Sequence, residues 1–210
     1  MWNRSENQIK LVMLRHGVTA ANKEHGYLGM TDEHLSKEGE LALQEARIRN
    51  IYPKVDYIFS SPMKRCVETA RLLYPNNEII TVTEWKEMDF GDFEGKNYME
   101  LQGDEYYQKW IDSNGTLPFP NGESRENFIE RCKQGFYKML MQLVELQKIK
   151  STMTVGLISH GGTIMSLLST FYGGEYFDYQ VANGQRYICT LKEKQGYPQI
   201  VEIKKIGDRL

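Results

Sequence analysis

The chain has 210 residues, and its 26 Lys and Arg against 28 Asp and Glu give a net charge of −2. This near-neutral balance disfavours a general nucleic-acid binder, because such proteins present a strongly basic face. No apolar run approaches the roughly 20 residues of a membrane-spanning helix, and the first residues lack the apolar centre of a secretory signal. We therefore expect a globular protein with neither nucleic-acid nor membrane partners.

Cysteine usage indicates a reducing compartment. Cys66, Cys132 and Cys189 are odd in number, widely spaced and without a Cys-x-x-Cys pair, so neither a disulfide framework nor a cysteine zinc site is expected. Arg65 could lower the pKa of the Cys66 thiol, but a small helix residue packed inward is the more ordinary interpretation. We predict a cytoplasmic protein with reduced thiols.

The first half of the chain alternates strand-like and helix-like segments. After a disordered lead-in over 1–7, apolar patterning predicts a strand over 8–14 and a short helix or loop over 20–25. Ser36 is a suitable N-cap for a helix that runs to about Asn50. Ser61 followed by Pro62 reads as an N-cap with proline at the first helical position of a helix to about Tyr74. Two short apolar runs predict further strands, at Val55–Ser60 and Glu78–Thr83.

The second half begins with an irregular, aromatic and acidic segment over 85–122, which we call the insertion and which has room for one helix near 97–111. The predicted elements that follow are a long amphipathic helix over Glu126–Ile149, a strand over Met153–Ser159, a helix over Gly161–Tyr172, and closing strands over Arg186–Glu193 and Gln199–Ile206.

The order of these elements predicts an α/β fold. Strands that alternate with helices indicate a largely parallel central sheet flanked by helices on both faces, within a single domain over 8–210. The insertion is then an elaboration of that domain. The last two strands offer an exposed edge, so a homodimer paired along that edge is one expectation.

Charged and polar residues follow four of the predicted strands. Arg15-His16-Gly17, Ser61 to Arg65, Glu87 and His160-Gly161-Gly162 each come directly after a strand-like run. The carboxyl ends of parallel strands meet at one edge of a sheet, where ligands bind. We therefore expect these residues to converge, although His16 and His160 are far apart in sequence.

Such a cluster suits a tetrahedral dianion. Arg15 and Arg65 are permanent cations whose fork geometry matches phosphate oxygens, and helix N-termini beside Ser61 and Gly161 add backbone N–H donors. Asn22 can supply a neutral donor. These residue types predict a phosphate pocket that needs no metal or other cofactor.

Two histidines in that pocket can divide the work. A neutral imidazole can attack phosphorus while a cationic one stabilises the phosphoryl oxygens. A carboxyl group beside a bound phosphate has a raised pKa, so Glu87 can protonate the leaving oxygen and later act as a base for water. Asp92 and Glu94 compete with Glu87 for this role. His25 and His34 lack metal-ligand spacing, so they are interpreted as loop residues.

The motifs resemble the histidine phosphatase superfamily, which has the phosphoglycerate-mutase-like fold, from about residue 8 to 190. The matching segments are Arg15-His16-Gly17 with Thr19 and Asn22, Gly29-x-Thr31-Asp32, Leu35-Ser36-x-x-Gly39, Ser60-Ser61-Pro62-x-x-Arg65 with Glu68-Thr69-Ala70, Glu87 with Phe90-Gly91 and Glu94-Gly95, Gly122-Glu123-Ser124, and Ser159-His160-Gly161-Gly162. Val18 departs from the pattern, since many members have Glu after the glycine.

The resemblance implies a role for each matched position. His16 would be the nucleophile that becomes phosphohistidine, and Glu87 would be the general acid and base. The phosphoryl group and substrate would be bound by Arg15, Arg65, His160, Asn22, Gly161, Gly29 and Thr31. The substrate would be a small phosphomonoester.

The resemblance covers both phosphatases and mutases. Mutases typically have Arg-His-Tyr-Gly after the acid, whereas Glu87 is followed by Met-Asp-Phe-Gly, as in the phosphatases. From Glu84 to Asp112 there are nine acids, three lysines and no arginine, which disfavours a second anionic group on the substrate. Within the phosphatases, the segment after Glu87 is similar to α-ribazole phosphatase of cobalamin assembly. A cofactor-dependent phosphoglycerate mutase is the alternative. The aromatic residues of the insertion suit either an aromatic leaving group or an ordinary core.

Overall fold

The computed structural model describes residues 8–24, 26–145 and 152–207. The predicted lead-in over 1–7, His25 and the last residues of the predicted long helix lie outside these ranges. The strands are β1 (Gln8–Arg15), β2 (Tyr57–Ser60), β3 (Ile79–Thr81), β4 (Thr152–Ser159), β5 (Arg186–Lys194) and β6 (Tyr197–Ile206). The helices are α1 (Ala20–Lys23), α2 (Lys37–Ile48), α3 (Lys64–Leu73), α4 (Glu105–Asp112), α5 (Arg125–Glu145) and α6 (Gly161–Phe171).

The six strands form one sheet in the order β3-β2-β4-β1-β5-β6. The first four are parallel, and β5 and β6 pair antiparallel. The predicted α/β fold with a largely parallel sheet is therefore confirmed. At the carboxyl ends, Arg15 pairs with Ser159 and Ser60 with Ile158, so the turns after β1, β2 and β4 begin at nearly the same level.

Helices cover both faces of the sheet because successive strand residues point to opposite sides. One face of β1 and β4, with Met13 and Leu157, contributes to the cluster that includes the buried side chains of α5 and α6. The opposite face, with Leu14 and Ile158, packs with α2 and α3. The apolar stripe of α5 is core, as predicted, with Phe128, Cys132, Phe136, Met139 and Leu143 buried.

The predicted N-cap of α3 is wrong. The helix begins at Lys64 rather than Pro62, and its N-cap residue, Met63, makes no side-chain capping bond. Lys64 N donates instead to Asp32 Oδ1 at 2.7 Å, so a carboxylate from a distant loop takes the place of a local cap. The Ser61 hydroxyl lies 2.8 Å from His160 Nε2, which is a tertiary contact that the local sequence does not reveal.

The helix of the insertion is shorter than the predicted 97–111. Gly103 has φ of +92°, a conformation that ends regular helix, and Asp104 then caps α4 by accepting from Tyr107 N at 2.8 Å. Aromatic rings pack against one another around this helix, with Tyr27 joining from outside the insertion. The rings of Phe93 and Tyr107 are buried, whereas Tyr98 is exposed. The core interpretation therefore fits most of the insertion's aromatic residues.

Two further observations concern possible pairing with a second copy and membrane-spanning segments. β6 lies at one edge of the sheet, and pairing of two copies along it stays a prediction. None of the helices in the described residues is long and apolar enough to cross a membrane.

Candidate active site

The turns after β1 and β4 bring two histidine rings together at the carboxyl edge of the sheet. The ring centroids of His16 and His160 lie 5.2 Å apart with an interplanar angle of 67°. Both residues are buried, with exposed fractions of 3% and 0%. The Arg15 guanidinium group and Glu87 Oε1 lie beside Gly161 and Gly162, which directly follow His160. Arg65 precedes Cys66, whose Sγ lies 3.6 Å from His160 Nε2. The predicted convergence of distant segments is present.

His16 is held in one tautomer. Its Nδ1 lies 2.7 Å from the Gly17 carbonyl oxygen, which can only accept, so Nδ1 carries the proton and Nε2 keeps a lone pair. Gly17 N donates to Thr69 Oγ1 at 3.0 Å, which fixes the turn that bears the histidine. Burial lowers the pKa of His16 well below its usual value, and the cations Arg15 and Arg65 lower it further. The ring is therefore neutral and able to act as a nucleophile.

His160 precedes α6 and has an extended backbone. Its Nε2 lies 2.8 Å from Ser61 Oγ and 3.6 Å from Cys66 Sγ. Burial lowers the pKa of His160 well below its usual value, and Arg65 and His16 act in the same direction. Burial also raises the pKa of the Cys66 thiol to about 12, so this side chain is a neutral thiol that packs beside the imidazole.

Two arginines bring permanent positive charge to this neighbourhood. Arg15 donates from Nη1 to the Val181 carbonyl at 2.8 Å, while Arg65 donates to the carbonyls of Thr31 at 2.9 Å and Gly29 at 3.0 Å. The Nε–H of each arginine is buried without a partner in the described residues. Since a buried donor without a partner costs free energy, an anion that accepted from both arginines would be favoured.

Glu87 is the carboxyl group of this cluster. Burial raises its pKa, although the N–H groups of Met88 and Gly162 and the two arginines oppose that shift. A Cβ at Gly162 would lie 2.6 Å from Glu87 Oε1, so the first turn of α6 approaches this carboxyl group closely. Burial thus favours the protonated form that a proton donor needs.

Arg131 on α5 fixes the backbone that carries Glu87. Its guanidinium group donates to the carbonyls of Glu84, Lys86 and Glu87 at 2.7, 2.9 and 3.3 Å. The same group makes a two-point ion pair with Glu123, at 3.0 and 2.7 Å. Arg131 could not be identified from the sequence, because a single arginine on an amphipathic helix is normally interpreted as an exposed charge.

The remaining predicted binding residues lie around the cluster. Asn22 Oδ1 accepts from Asn183 Nδ2 at 2.9 Å and from Thr19 N at 3.3 Å, which leaves its Nδ2 group as the donor it can offer. Gly161 begins α6 beside the Arg15 guanidinium group. Asn183 also donates to the carbonyls of His16 and Gly17. Asn183-Gly184 predicts a turn from sequence, but nothing local indicates this contact with the site.

Gly29 and Thr31 use their backbone groups within the protein. Their carbonyls accept from Arg65, and their N–H groups donate to Glu94 Oε1 at 2.9 Å each. Asp92 accepts from Asn121 Nδ2 at 3.0 Å. The carboxylates of Asp92 and Glu94 are therefore hydrogen-bonded to groups other than those around Glu87.

Most acids counted between Glu84 and Asp112 serve local contacts. Each of the following carboxylates accepts a hydrogen bond from a nearby backbone or side chain: Glu84, Asp89, Asp92, Glu94, Glu100, Asp104 and Asp112. The excess of acids therefore reflects capping and turn formation as well as surface charge. Across the described ranges, no group of three or more His, Cys, Asp or Glu side chains is arranged to hold a metal ion.

Comparison with known proteins assigns the family. The model of the histidine phosphatase superfamily (branch 1) matches residues 11–204. This chain belongs to the histidine phosphatase superfamily. The uncharacterised phosphatase PhoE of Bacillus subtilis is 30% identical, over 78% of this chain and 77% of that protein. A 2,3-bisphosphoglycerate-dependent phosphoglycerate mutase of Bifidobacterium longum is 26% identical, over 76% and 75% respectively.

Solved structures of two phosphatases share the fold of this chain. The phosphoserine phosphatase of Entamoeba histolytica, in complex with 3-phosphoglyceric acid, superposes with a TM-score of 0.73 at 27% identity and covers 93% of this chain and 96% of its own. The α-ribazole phosphatase of Shigella flexneri gives 0.73 at 24% identity, with coverage of 91% and 94%. The second likeness shows the fold alone, since its identity is so low.

Proposed function

We propose that the protein is a metal-independent phosphomonoesterase of the histidine acid phosphatase type, which transfers the phosphoryl group of a small metabolite to His16 and then to water. The contact that carries this proposal is the 2.7 Å bond between His16 Nδ1 and the Gly17 carbonyl, because it leaves the Nε2 lone pair free in a buried, cationic site. Membership of the histidine phosphatase superfamily supports it.

In the first step, His16 Nε2 attacks phosphorus and the bond from phosphorus to the ester oxygen breaks. The proton of Glu87 passes to that oxygen, so the alcohol leaves neutral and Glu87 becomes a carboxylate. Arg15 and Arg65 stabilise the charge on the phosphoryl oxygens. A bound dianion also raises the pKa of His160, so that this ring can become a cation beside the phosphoryl group.

In the second step, water attacks the phosphorus of phosphohistidine while Glu87 takes a proton from that water. The bond between phosphorus and Nε2 breaks, which returns the neutral imidazole and releases inorganic phosphate. Each group is restored at the end of the cycle, and the overall reaction consumes one water for each ester hydrolysed.

The leaving group meets the side of the site formed by Glu87 and the start of the insertion. α-Ribazole 5'-phosphate is the substrate we propose to test first, because the segment after Glu87 is similar to that of α-ribazole phosphatases. Phosphoserine and sugar phosphates belong in the same screen. A phosphoglycerate mutase is the second candidate function, favoured by the similarity to the Bifidobacterium longum enzyme.

The decisive experiment replaces the nucleophile. His16→Ala should reduce turnover of p-nitrophenyl phosphate by roughly 10³-fold or more, while circular dichroism stays unchanged. His34→Ala is the matched control, since His34 is an exposed histidine that pairs with Glu68, and it should retain wild-type turnover. A His16→Ala protein that keeps more than a tenth of the activity would contradict the proposal.

Phosphoglycerates separate the two candidate functions. A phosphatase should release inorganic phosphate from 3-phosphoglycerate or from other esters faster than it interconverts 2- and 3-phosphoglycerate. Dominant interconversion would assign the protein to the mutases instead.

A further inference from the structure

The loop over 26–33, between α1 and α2, connects the insertion with the arginine of α3. On one side, Tyr27 N donates to the Lys96 carbonyl at 2.9 Å, and Gly95 N donates to the Tyr27 carbonyl at 2.8 Å. On the other side, the carbonyls of Gly29 and Thr31 accept from Arg65. The position of this loop therefore affects both the insertion and the guanidinium group.

One carboxylate of the insertion holds the loop. Glu94 Oε1 accepts from the N–H groups of Gly29 and Thr31, both at 2.9 Å, and its Oε2 is buried without a partner in the described residues. A Cβ at Gly29 would lie 2.0 Å from the Met88 carbonyl oxygen, so the loop also packs tightly against the start of the insertion. The two residues that Glu94 holds are the same two whose carbonyls bind Arg65.

Arg65 depends on these carbonyls for its orientation. The side chain is fully buried, and each of its two terminal nitrogens donates to one of them. A guanidinium group recognises phosphate through donors in a fixed plane, so a small rotation of that plane weakens binding. An acceptor that holds the N–H groups of Gly29 and Thr31 also fixes the position of their carbonyls, and thus the plane of the guanidinium group.

We infer that Glu94 is a positioning residue that orients Arg65 for phosphate, acting through the backbone of Gly29 and Thr31. The inference rests on the proposed function for the role of Arg65 as a phosphate ligand. It gives Glu94 a purpose distinct from proton transfer, and it makes phosphate affinity depend on the packing of the insertion.

Two substitutions of Glu94 separate the effect of the position of its carboxylate oxygen from the effect of its negative charge. Glu94→Asp keeps the charge but withdraws the oxygen from the two N–H groups, whereas Glu94→Gln keeps an acceptor oxygen in reach and loses the charge. Glu94→Ala removes both. Glu100→Gln is the control, because Glu100 is an exposed acid of the same insertion that accepts from Asn97 N at 2.9 Å.

Inorganic phosphate is the probe, with its Kd measured by titration calorimetry and the KM and kcat of p-nitrophenyl phosphate measured alongside. We expect Glu94→Asp and Glu94→Ala to raise the phosphate Kd and the KM on the order of tenfold, with a smaller change in kcat. Glu94→Gln should stay within about threefold, and Glu100→Gln should match the wild type. In an Arg65→Ala background, Glu94→Ala should have less than about a twofold further effect.

Three results would overturn the inference. The first is an unchanged phosphate affinity in Glu94→Asp. The second is an affinity that is lost in Glu94→Gln but kept in Glu94→Asp. The third is an equal loss of affinity on Glu94→Ala whether Arg65 is present or replaced by alanine. Failure of the proposed function looks different: the wild type would bind phosphate, with the same response to Glu94 variants, yet would not hydrolyse the ester.

Discussion

The two sides of the site are built differently. The sheet side, with Arg15, His16 and His160, stands at the ends of β1 and β4, where paired strands and buried side chains fix each residue. The insertion side starts at Glu87 and depends on a few contacts with distant residues, such as Arg131 with the backbone at Glu87. In the proposed mechanism, phosphoryl transfer therefore takes place on the sheet side, and the leaving group faces the insertion side.

Glu87 stands where the two sides meet, so its substitution is the strongest test of that division. Glu87→Gln cannot protonate a leaving group, and we expect kcat/KM for an alkyl phosphate such as glycerol 2-phosphate to fall on the order of 10²-fold to 10³-fold. Nitrophenolate leaves without a proton, so kcat/KM for p-nitrophenyl phosphate should fall at least about tenfold less. Steady-state kinetics with both substrates measure the difference.

The control for Glu87 is Glu105→Gln, which changes an exposed acid at the first turn of α4 and should leave both substrates unaffected. Equal losses for the alkyl and aryl esters in Glu87→Gln would argue against a proton-donor role.

A change in the aromatic cluster should loosen only the insertion. The Trp110 ring lies 4.9 Å from Phe119 and stacks on Tyr107 at 6.2 Å, both between ring centroids. Trp110→Ala should lower the free energy of opening of the insertion by about 2 kcal/mol, since aromatic burial and ring pairing are lost. Hydrogen exchange should then accelerate across 85–122 and remain slow in β1 and β4.

Tyr197→Ala is the matched control for Trp110, because Tyr197 is an exposed aromatic residue on β6. Faster exchange spread evenly over the sheet in Trp110→Ala would show that the two sides do not open separately.

On the sheet side, the lowered pKa of His160 should make the stability of the protein depend on pH. The pKa of His160 is lowered in the folded protein, so below pH about 6.5 the unfolded chain binds a proton that the native ring does not. Stability is therefore lost as pH falls, with a slope of about 1.4 kcal/mol per pH unit for this group. Glu87, whose pKa is raised by burial, acts in the opposite sense, since the stability it contributes is lost as pH rises through its folded pKa.

Comparison with His160→Gln isolates the histidine. Urea unfolding at pH 7.5 and 5.5 should show that the wild type loses about 1 kcal/mol more than the variant over that interval. Equal losses would mean that His160 keeps an ordinary pKa in the native protein.

The sequence predicted the sheet side well because short patterns determine it. An apolar run that ends in Arg15 and His16, and another that ends in His160 before Gly161, specify strand ends, and the parallel-sheet rule then brings them together. The insertion side was harder to predict from the sequence, because the positions of its residues depend on tertiary contacts. The helix near 97–111 was too long, and the role of Asn183 left no local signal.

The error at Ser61 has the same cause. Serine before proline is a good helix start in isolation, but here the hydroxyl group contacts His160 and the carboxylate of Asp32 binds the first amide of α3. Gly29 and Thr31 likewise matched a motif, while their use by Glu94 and Arg65 could be seen only in three dimensions.

The central place of β4 has a consequence for synthesis of the protein. β1 and β2 leave the ribosome long before β4, yet they do not pair with each other, and β4 joins them. A nascent chain that ends before β4 therefore has β1 and β2 without their shared pairing partner, so their hydrogen-bonding edges are open to other chains. His16 can meet His160 only after β4 has emerged, so the proposed active site is completed late in synthesis.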